Sequence, residues 1–598
     1  MLQLKTDDLT FSFDPISCVG TLKDHKSGVT FVQNPGLGPA EAVLRDGVIQ
    51  VKVGTLEGTY QIVDGELRFV CTSQGPLTEE TAWPPAFVPE ETDRNLYAFG
   101  SGVSLPARGA AELLPERLDL AAAHGSTMSF YGIQRDSCWL LCAVETPYDA
   151  ALLLEQQDGL MRTQVVWKPS KGNWAYPRVL RFRPCESITQ LCKSYRKIAM
   201  DRGLVITLEE KAKDRPRLQE FPGHANLWLW NDDTMDKLYT EDYPYSVTPE
   251  ETIRKRLSIA DEMRKLGMER VLWSLFDENT QRWEAEHVQK LGWLTTIYDI
   301  YTDVIPSEIL HLIPETRRRR CEPRIACYPD GVVRDAEGKP MEAWALKCTD
   351  GVFRAQNRIC EKAAIPHLQN YLDRRQPELG LDAWYLDVTY MNACECFDPR
   401  HPTDRTESVA EKARMMEILR SYGLIRGTEV GTEDAAACAE YNEGMLSPVH
   451  YRAYDAGRRM THLYEGETIP ASIPEIMLNP VYRVPLWQLV FHDCMVSYWY
   501  WGDSHNCCPE LMPLRDLFCQ LYGEPPLFSF AARDWERLRE EVLRSYGATV
   551  PHATAVGGRE MLSFDYVDGD PMVQRTIFAG GTTVTVDFRK RTSTIETE

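Results

Sequence analysis

The sequence of 598 residues predicts a multidomain protein with α/β and all-β parts. We expect an N-terminal β-sandwich, a central (β/α)8 TIM-like barrel and a small C-terminal β-sandwich domain. Three patterns predict this division: short strands up to about residue 185, alternating strands and helices over the next roughly 300 residues, and alternating strands again from about residue 550. The predicted domains are 1–215, 216–548 and 549–598.

The N-terminal region is predicted to be β because GVIQVKVG, TYQIVDGELRFV and CWLLCAVET are short alternating or apolar stretches. Asp64-Gly65 between two of them is a two-residue hairpin signal. A helix is predicted from about Ser187 to Arg202, and the charged, proline-containing stretch EEKAKDRPRLQEFPG then indicates a domain boundary.

From about residue 224 the pattern becomes strand then helix, repeated. One repeat runs from HANLWLWNDD through a helix that ends at Gly267 to ERVLWSLFDEN, and another joins strand 383–390, helix Ser408–Tyr422 and LIRGTEVG. WLTTIYDIY, GMLSPVHYR, VPLWQLVFHD and PLFSFAA are further strand candidates. Parallel strands need crossover helices, and no glycine-rich phosphate loop follows a strand, so a closed barrel is preferred to an open doubly wound sheet.

The C-terminal region is predicted to be β again. MLSFDYV, QRTIFAGG and TTVTVDF alternate apolar and polar residues, and Gly580-Gly581 supplies a hairpin turn.

Composition excludes several classes of partner. The formal net charge of -22, without a basic face, argues against nucleic acid. A secretory leader and an apolar run of about 18 residues are both missing, so we expect a cytoplasmic protein without a membrane partner.

The 17 cysteines lack regular spacing, which is typical of reduced thiols, and neither Cys394 with Cys396 nor Cys507 with Cys508 has zinc-ribbon spacing. We therefore predict no metal ligands, and the oligomeric state stays open.

Two acids stand at the ends of successive predicted strands, Asp387 and Glu429. Because strand ends of a barrel share one face and neighbouring strands are about 4.8 Å apart, the two carboxyls are expected to lie within roughly 5 to 7 Å. Retaining glycosidases place a nucleophile and an acid/base about 5 to 5.5 Å apart. Glu433 competes with Glu429, which is preferred because it is nearer the apolar strand.

The other predicted strand ends carry aromatic residues, acids and histidines, which suits a carbohydrate with apolar C–H patches and hydroxyl groups. The predicted substrate-binding residues are Asp232, Trp273, Asp277, Tyr298, Asp299, His450, His492 and Asp493.

YLDV (385–388), GTEVG (427–431) and PLWQLVFHD (485–493) resemble motifs of the endo-α-N-acetylgalactosaminidases of glycoside hydrolase family 101 and the intracellular α-N-acetylgalactosaminidases of family 129. The stretches 195–216 and 573–588 are also similar to those families. The resemblance implies a β-supersandwich, a (β/α)8 barrel and a C-terminal β domain, with Asp387 as nucleophile and Glu429 as acid/base. It also implies that His492 and Asp493 hold sugar hydroxyls.

These expectations combine into a retaining exo-acting α-glycosidase for terminal N-acetylgalactosamine or galactose. Exo action is expected because Val430 stands where the endo enzymes tend to have tryptophan, and because a cytoplasmic enzyme meets small imported glycans. The chemistry needs no cofactor, and a structural calcium ion is left open. Three alternatives remain: another sugar such as glucose, a catalytically silent carbohydrate-binding protein, and a metal-dependent barrel hydrolase. The last is disfavoured because His224-Ala225-Asn226 lacks the His-x-His pattern.

Overall fold

The structure is a computed structural model that describes residues 1–36, 38–232, 250–276, 280–313, 318, 324–454 and 456–597. The chain divides into two compact units, one of Met1–Leu204 with Val481–Val490, the other of Val205–Pro480 with Phe491–Glu598. Within the described residues, no helix is both long and apolar enough to cross a membrane.

The first unit is built of antiparallel sheets. Its strands are β1 (Leu2–Lys5), β2 (Leu9–Asp14), β3 (Val19–Asp24), β4 (Thr30–Val32), β5 (Glu41–Arg45), β6 (Val48–Val53), β7 (Leu56–Val63), β8 (Glu66–Ser73), β9 (Thr81–Ala82), β10 (Arg94–Tyr97), β11 (Val103–Pro106), β12 (Arg117–Asp119), β13 (Phe130–Arg135), β14 (Cys138–Val144), β15 (Ala150–Gln157), β16 (Leu160–Trp167) and β17 (Arg178–Cys185). They form sheets in the orders β1-β2-β3-β4, β11-β10-β13-β14-β17-β8-β7-β6-β5 and β12-β15-β16-β9.

The predicted hairpin at Asp64-Gly65 is confirmed. It joins β7 to β8, with Val63 paired to Glu66, and both turn residues have positive φ, 50° at Asp64 and 75° at Gly65. That backbone is the one a tight two-residue hairpin requires, and Asp-Gly adopts it at little cost.

The strands of the second unit are β18 (Ala225–Trp230), β19 (Val271–Leu275), β20 (Leu294–Ile300), β21 (Asp303–Val304), β22 (Glu342–Lys347), β23 (Phe353–Arg358), β24 (Ala383–Asp387), β25 (Ile425–Glu429), β26 (Tyr441–Glu443), β27 (Val496–Tyr498), β28 (Leu527–Ala531), β29 (Met561–Tyr566), β30 (Val573–Phe578), β31 (Thr582–Asp587) and β32 (Thr592–Thr597). The described helices of the chain are α1 (Ile188–Asp201), α2 (Leu208–Lys211), α3 (Glu250–Lys265), α4 (Arg282–Lys290), α5 (Glu361–Leu379), α6 (Arg405–Ser421), α7 (Glu433–Cys438), α8 (Leu486–Phe491), α9 (Met512–Tyr522) and α10 (Trp535–Val556).

A nearly closed parallel barrel lies at the centre of the second unit. Its eight strands follow the order β27-β26-β25-β24-β20-β19-β18-β28, and β18 pairs in parallel with β28. Closure is incomplete between β27 and β28, the two ends of that order. The predicted fold class is confirmed: a parallel barrel follows a β-rich N-terminal region, and the four-stranded antiparallel sheet β29-β30-β31-β32 ends the chain.

Two strand predictions are wrong. VPLWQLVF contains helix α8, and GMLSPVHYR contains a 3-10 turn at Val449–Tyr451. The first stretch is apolar on every side, and such a run does not distinguish a buried strand from a buried helix. The strands that complete the barrel are β26 and β27, each of three residues, too short to show an alternating pattern.

A buried ion network occupies the N-terminal end of the barrel, where Glu440 directly precedes β26. The Glu440 carboxylate accepts hydrogen bonds from Arg426 Nε at 3.0 Å and from Arg215 Nη2 at 2.9 Å. Lys211 Nζ donates to backbone carbonyls nearby, among them that of Ala439 at 2.7 Å. Burial alone would raise the pKa of Glu440, but the charge of Arg426 and the adjacent cations lower it to about 2. The network therefore needs an ionised Glu440.

Replacing Glu440 with Gln should lower the free energy of unfolding near pH 7 by about 3–5 kcal/mol, because buried cations lose their counter-charge. Denaturant titration measures this. The pKa of Glu440 is depressed in the folded state, so its contribution is present at neutral pH and is lost as pH falls from its ordinary 4.5 towards about 2.

The matched control is Glu417→Gln, which removes an exposed carboxylate 3.9 Å from Arg426 Nη1. It should change stability by less than about 0.5 kcal/mol. If Glu440→Gln lowers the free energy of unfolding no more than this control does, the network does not stabilise the barrel.

Candidate active site

Two buried carboxyl groups end adjacent barrel strands. Asp387 is the last residue of β24 and Glu429 the last of β25. Leu386 pairs with Thr428, so the next residue of each strand stands at the same level. Parallel neighbours are about 4.8 Å apart. The two side chains, only 7% and 6% exposed, therefore form a carboxyl pair at the C-terminal end of the barrel.

Two phenols hold the Asp387 carboxylate. Tyr298 Oη donates to Oδ2 at 2.8 Å, and Tyr385 Oη donates to Oδ1 at 3.1 Å. Tyr298 comes from β20 and Tyr385 from β24 itself, two residues before Asp387 and therefore on the same face. With one donor on each oxygen, the carboxylate has a fixed orientation.

The backbone is strained directly after Asp387. Val388 has φ of 46°, in the left-handed region, which a β-branched residue rarely adopts. Its carbonyl accepts a hydrogen bond from Met391 N at 3.2 Å, which closes a turn. Such strain costs of order 1–3 kcal/mol and clusters at functional sites, where the surrounding structure maintains it.

The two carboxyls have different proton affinities. Burial raises the pKa of Asp387 to about 6, although the hydrogen bonds from Tyr298 and Tyr385 oppose the shift. Burial, followed by the nearby charge of Asp387, raises the pKa of Glu429 to about 8, against a smaller opposing effect of Arg452. At neutral pH Asp387 is thus ionised and Glu429 protonated. Burial contributes more to the Glu429 shift than the repulsion within the pair on which the sequence argument relied.

A third carboxyl, which the sequence argument missed, lies on the next strand. Glu443 ends β26, pairs in register with Glu429 and is fully buried. Asn226 Nδ2 donates to its Oε1 at 2.5 Å, and Ser274 Oγ donates to the Asn226 Oδ1 at 3.0 Å. Burial raises the pKa of Glu443 well above its ordinary value, which favours the neutral form of this side chain. The polar stretch EYNEG gave no strand signal that could have revealed it.

An aromatic wall stands beside the pair. The Trp228 ring centroid lies 6.0 Å from that of Tyr385 and 6.4 Å from that of Tyr298. Trp230 and Trp501 stack on Trp228 at 5.3 and 6.0 Å. The three tryptophans are themselves buried, so they form an apolar packing layer next to the two tyrosines that bind Asp387.

Of the predicted substrate-binding residues, Tyr298 contacts Asp387, whereas Trp273 and Asp299 have other partners. Trp273 is fully buried and stacks on Trp293 at 6.0 Å. Asp299 accepts a hydrogen bond from Trp384 Nε1 at 3.1 Å. Strand side chains alternate between faces, so the residue next to inward-facing Tyr298 faces outward. A sugar contact by Trp273 or Asp299 thus has no support from their positions.

Asp232 lies at the correct end of the barrel, just after β18. Its carboxylate is already engaged, because it pairs with Lys255 and accepts from the backbone N–H of Arg533. Asp277 lies outside the described residues.

The two predicted histidines lie in different parts of the second unit. His450 is exposed in the turn Val449–Tyr451 and packs against Tyr451, with centroids 5.6 Å apart. His492 Nδ1 lies 2.6 Å from the Arg559 carbonyl, and His492 precedes β27 together with Asp493. That position is the N-terminal end of the barrel, opposite Asp387. The misplacement of His492 and Asp493 follows from taking VPLWQLVFHD as a barrel strand.

Asp387→Asn should raise the free energy of unfolding near pH 7 by about 1–3 kcal/mol, because the folded state raises the pKa of Asp387 and so destabilises its ionised form. Denaturant titration of both proteins measures the difference. Near pH 4 the wild-type side chain is protonated too, and the difference should largely vanish. An Asn variant less stable than wild type near pH 7 would contradict the assigned shift.

Solved structures share this architecture. The ligand-free α-N-acetylgalactosaminidase NagBb from Bifidobacterium bifidum has a TM-score of 0.75 and 21% identity, over 99% of this chain and 100% of that one. Its GalNAc complex gives 0.76 and 20%, with both chains fully covered. The cycloalternan-forming enzyme from Listeria monocytogenes gives 0.52 and 9%, over 96% of this chain and 57% of that one. These identities show a shared fold.

Sequence comparison gives the family. No curated protein matches the sequence. The family described as glycosyl hydrolases related to the GH101 family, GH129, matches residues 262–577, more than half of the chain and the part that carries Asp387 and Glu429. The chain therefore belongs to glycoside hydrolase family 129.

Proposed function

We propose that this glycoside hydrolase removes terminal α-linked N-acetylgalactosamine, or galactose, from small glycans or glycopeptides with retention of configuration. The observation that carries the proposal is the carboxyl pair of Asp387 and Glu429, buried and in register on adjacent strands, with the pKa of Glu429 raised above that of Asp387.

In the first step an oxygen of ionised Asp387 bonds to the anomeric carbon while the glycosidic C–O bond breaks. Protonated Glu429 gives its proton to the departing oxygen, which leaves with the bonding electron pair. The hydrogen bonds from Tyr298 and Tyr385 keep the Asp387 oxygens directed at one position. The product is a glycosyl ester of inverted anomeric configuration.

In the second step water cleaves the ester. Esterification removes the negative charge of Asp387, which is one cause of the raised pKa of Glu429. Glu429 loses its first proton to the leaving group and then accepts one from the attacking water, whose oxygen bonds to the anomeric carbon as the Asp387 carboxylate departs. A second inversion restores the α configuration, and both residues regain their starting protonation states.

The proposed sugar comes from a solved structure of the same fold. The NagBb structure in complex with GalNAc shows that a protein of this fold binds that sugar. Glucose and galactose remain the competing sugars, and all three use the same two carboxyls.

A panel of nitrophenyl α-glycosides should show the fastest hydrolysis for N-acetylgalactosamine, with proton NMR detecting the α-anomer as the first free sugar. Fastest hydrolysis of another sugar would refute the specificity. First appearance of the β-anomer would refute retention, and no hydrolysis of any member would favour a silent binding protein.

Glu429→Gln should slow hydrolysis of substrates with poor leaving groups by about 10²–10⁴-fold and much less for dinitrophenyl glycosides, which need no acid. Wild-type kcat/KM should be bell-shaped in pH, with limbs near the pKa values of about 6 for Asp387 and about 8 for Glu429, and the variant should lose the alkaline limb on activated substrates.

Glu433→Gln is the matched comparison, since Glu433 is also a buried glutamate and begins α7, shortly after the end of β25. If the Glu433 variant, and not the Glu429 variant, shows the leaving-group dependence, the acid/base assignment is wrong.

A further inference from the structure

Three potential metal ligands that the proposed chemistry does not use meet in the second unit: Cys360, Cys396 and His401, hereafter the Cys2His cluster. Cys360 directly precedes α5, and the other two lie in the loop that joins β24 to α6. This is the loop that follows Asp387. The cluster thus connects that loop to the start of a barrel helix.

The spacing of the three ligand atoms fits one tetrahedral metal ion. Zinc bonds to thiolate at about 2.3 Å and to imidazole at about 2.0–2.1 Å, which places two tetrahedral ligands roughly 3.5–3.8 Å apart. Cys396 Sγ lies 3.4 Å from His401 Nδ1, and all three ligand atoms lie within 4.8 Å of one another. Small side-chain movements would complete the geometry.

The histidine is set in the form that binds a metal. His401 Nε2 lies 2.7 Å from the carbonyl oxygen of Asp330. A carbonyl only accepts hydrogen bonds, so Nε2 carries the proton and the lone pair of Nδ1 faces Cys396. Metal-binding histidines commonly have this arrangement, in which a backbone carbonyl or carboxylate fixes the tautomer.

The site is buried and its loop is firmly held. Both thiols are fully buried and His401 is 8% exposed. Next to them, Asp398 accepts hydrogen bonds from Arg334 Nε at 3.2 Å and from Arg400 Nη2 at 2.7 Å. The ligands are therefore positioned by packing and ion pairs of their own.

We propose that the Cys2His cluster binds one Zn²⁺ ion, which fastens the loop after Asp387 to the N-terminus of α5. Two thiols lose their protons on binding, so two thiolates and a neutral imidazole face a divalent cation and the net charge of the site is zero. Water fills the fourth position. The prediction of no metal ligands considered Cys394 with Cys396 and missed Cys360, which is remote in sequence.

The test is zinc content of the purified full-length protein after incubation with Zn²⁺ and removal of excess metal. We expect about one zinc per chain, and with Co²⁺ in its place the intense thiolate-to-cobalt absorption of a tetrahedral site. Cys396→Ser and His401→Ala should each lose most of the bound metal. Cys394→Ser is the matched control, because Cys394 is a buried thiol of the same loop outside the cluster, and it should keep the metal.

Three results would overturn the proposal: a protein that retains no Zn²⁺, equal loss of zinc in Cys394→Ser and Cys396→Ser, or a Cys360–Cys396 disulfide found by mass spectrometry under non-reducing conditions. In the first case the cluster is a hydrogen-bonded group of two thiols and an imidazole. Circular dichroism of each variant checks that it folds. If Cys396→Ser does not fold, the zinc content of His401→Ala decides the test.

Discussion

The register between β24 and β25 is the constraint on which the active site depends, because it sets Asp387 and Glu429 at one level inside a water-poor barrel. A shift of one residue would turn one carboxyl to the outer face, since strand side chains alternate. Burial then raises the pKa of both carboxyls. Tyr298 and Tyr385 donate one hydrogen bond to each oxygen of Asp387, whereas Glu429 has the charge of Asp387 beside it, and this asymmetry gives one nucleophile and one acid from two similar groups.

The barrel separates stability from chemistry at its two ends. Glu440 and Glu429 are both buried glutamates, yet the pKa of the first falls to about 2 and that of the second rises to about 8. The difference lies in their neighbours: Arg426 and Arg215 donate directly to Glu440, whereas Glu429 has the carboxyls of Asp387 and Glu443 on the strands beside it. At the N-terminal end, Glu440 is therefore paired with positive charges. At the C-terminal end, Glu429 holds a proton that it can transfer.

The sequence was sufficient for the elements with a strong periodic or apolar signal. It located the strands that end at Asp387 and Glu429, and it identified the resemblance to the family that the chain belongs to. It failed at β26 and β27, whose three residues show no period, and that failure put His492 at the wrong end of the barrel and hid Glu443. Whether a strand-end residue faces inward also could not be read without the register.

Trapping the covalent intermediate with an activated 5-fluoro-α-N-acetylgalactosaminyl fluoride, and locating the label by peptide mass spectrometry, tests whether Asp387 is the nucleophile. We expect one glycosyl group per chain, attached to Asp387 and accumulating at a rate that depends on ionisation of that residue. A label on Glu443 or Glu429, or stoichiometric turnover with no label at all, would contradict it.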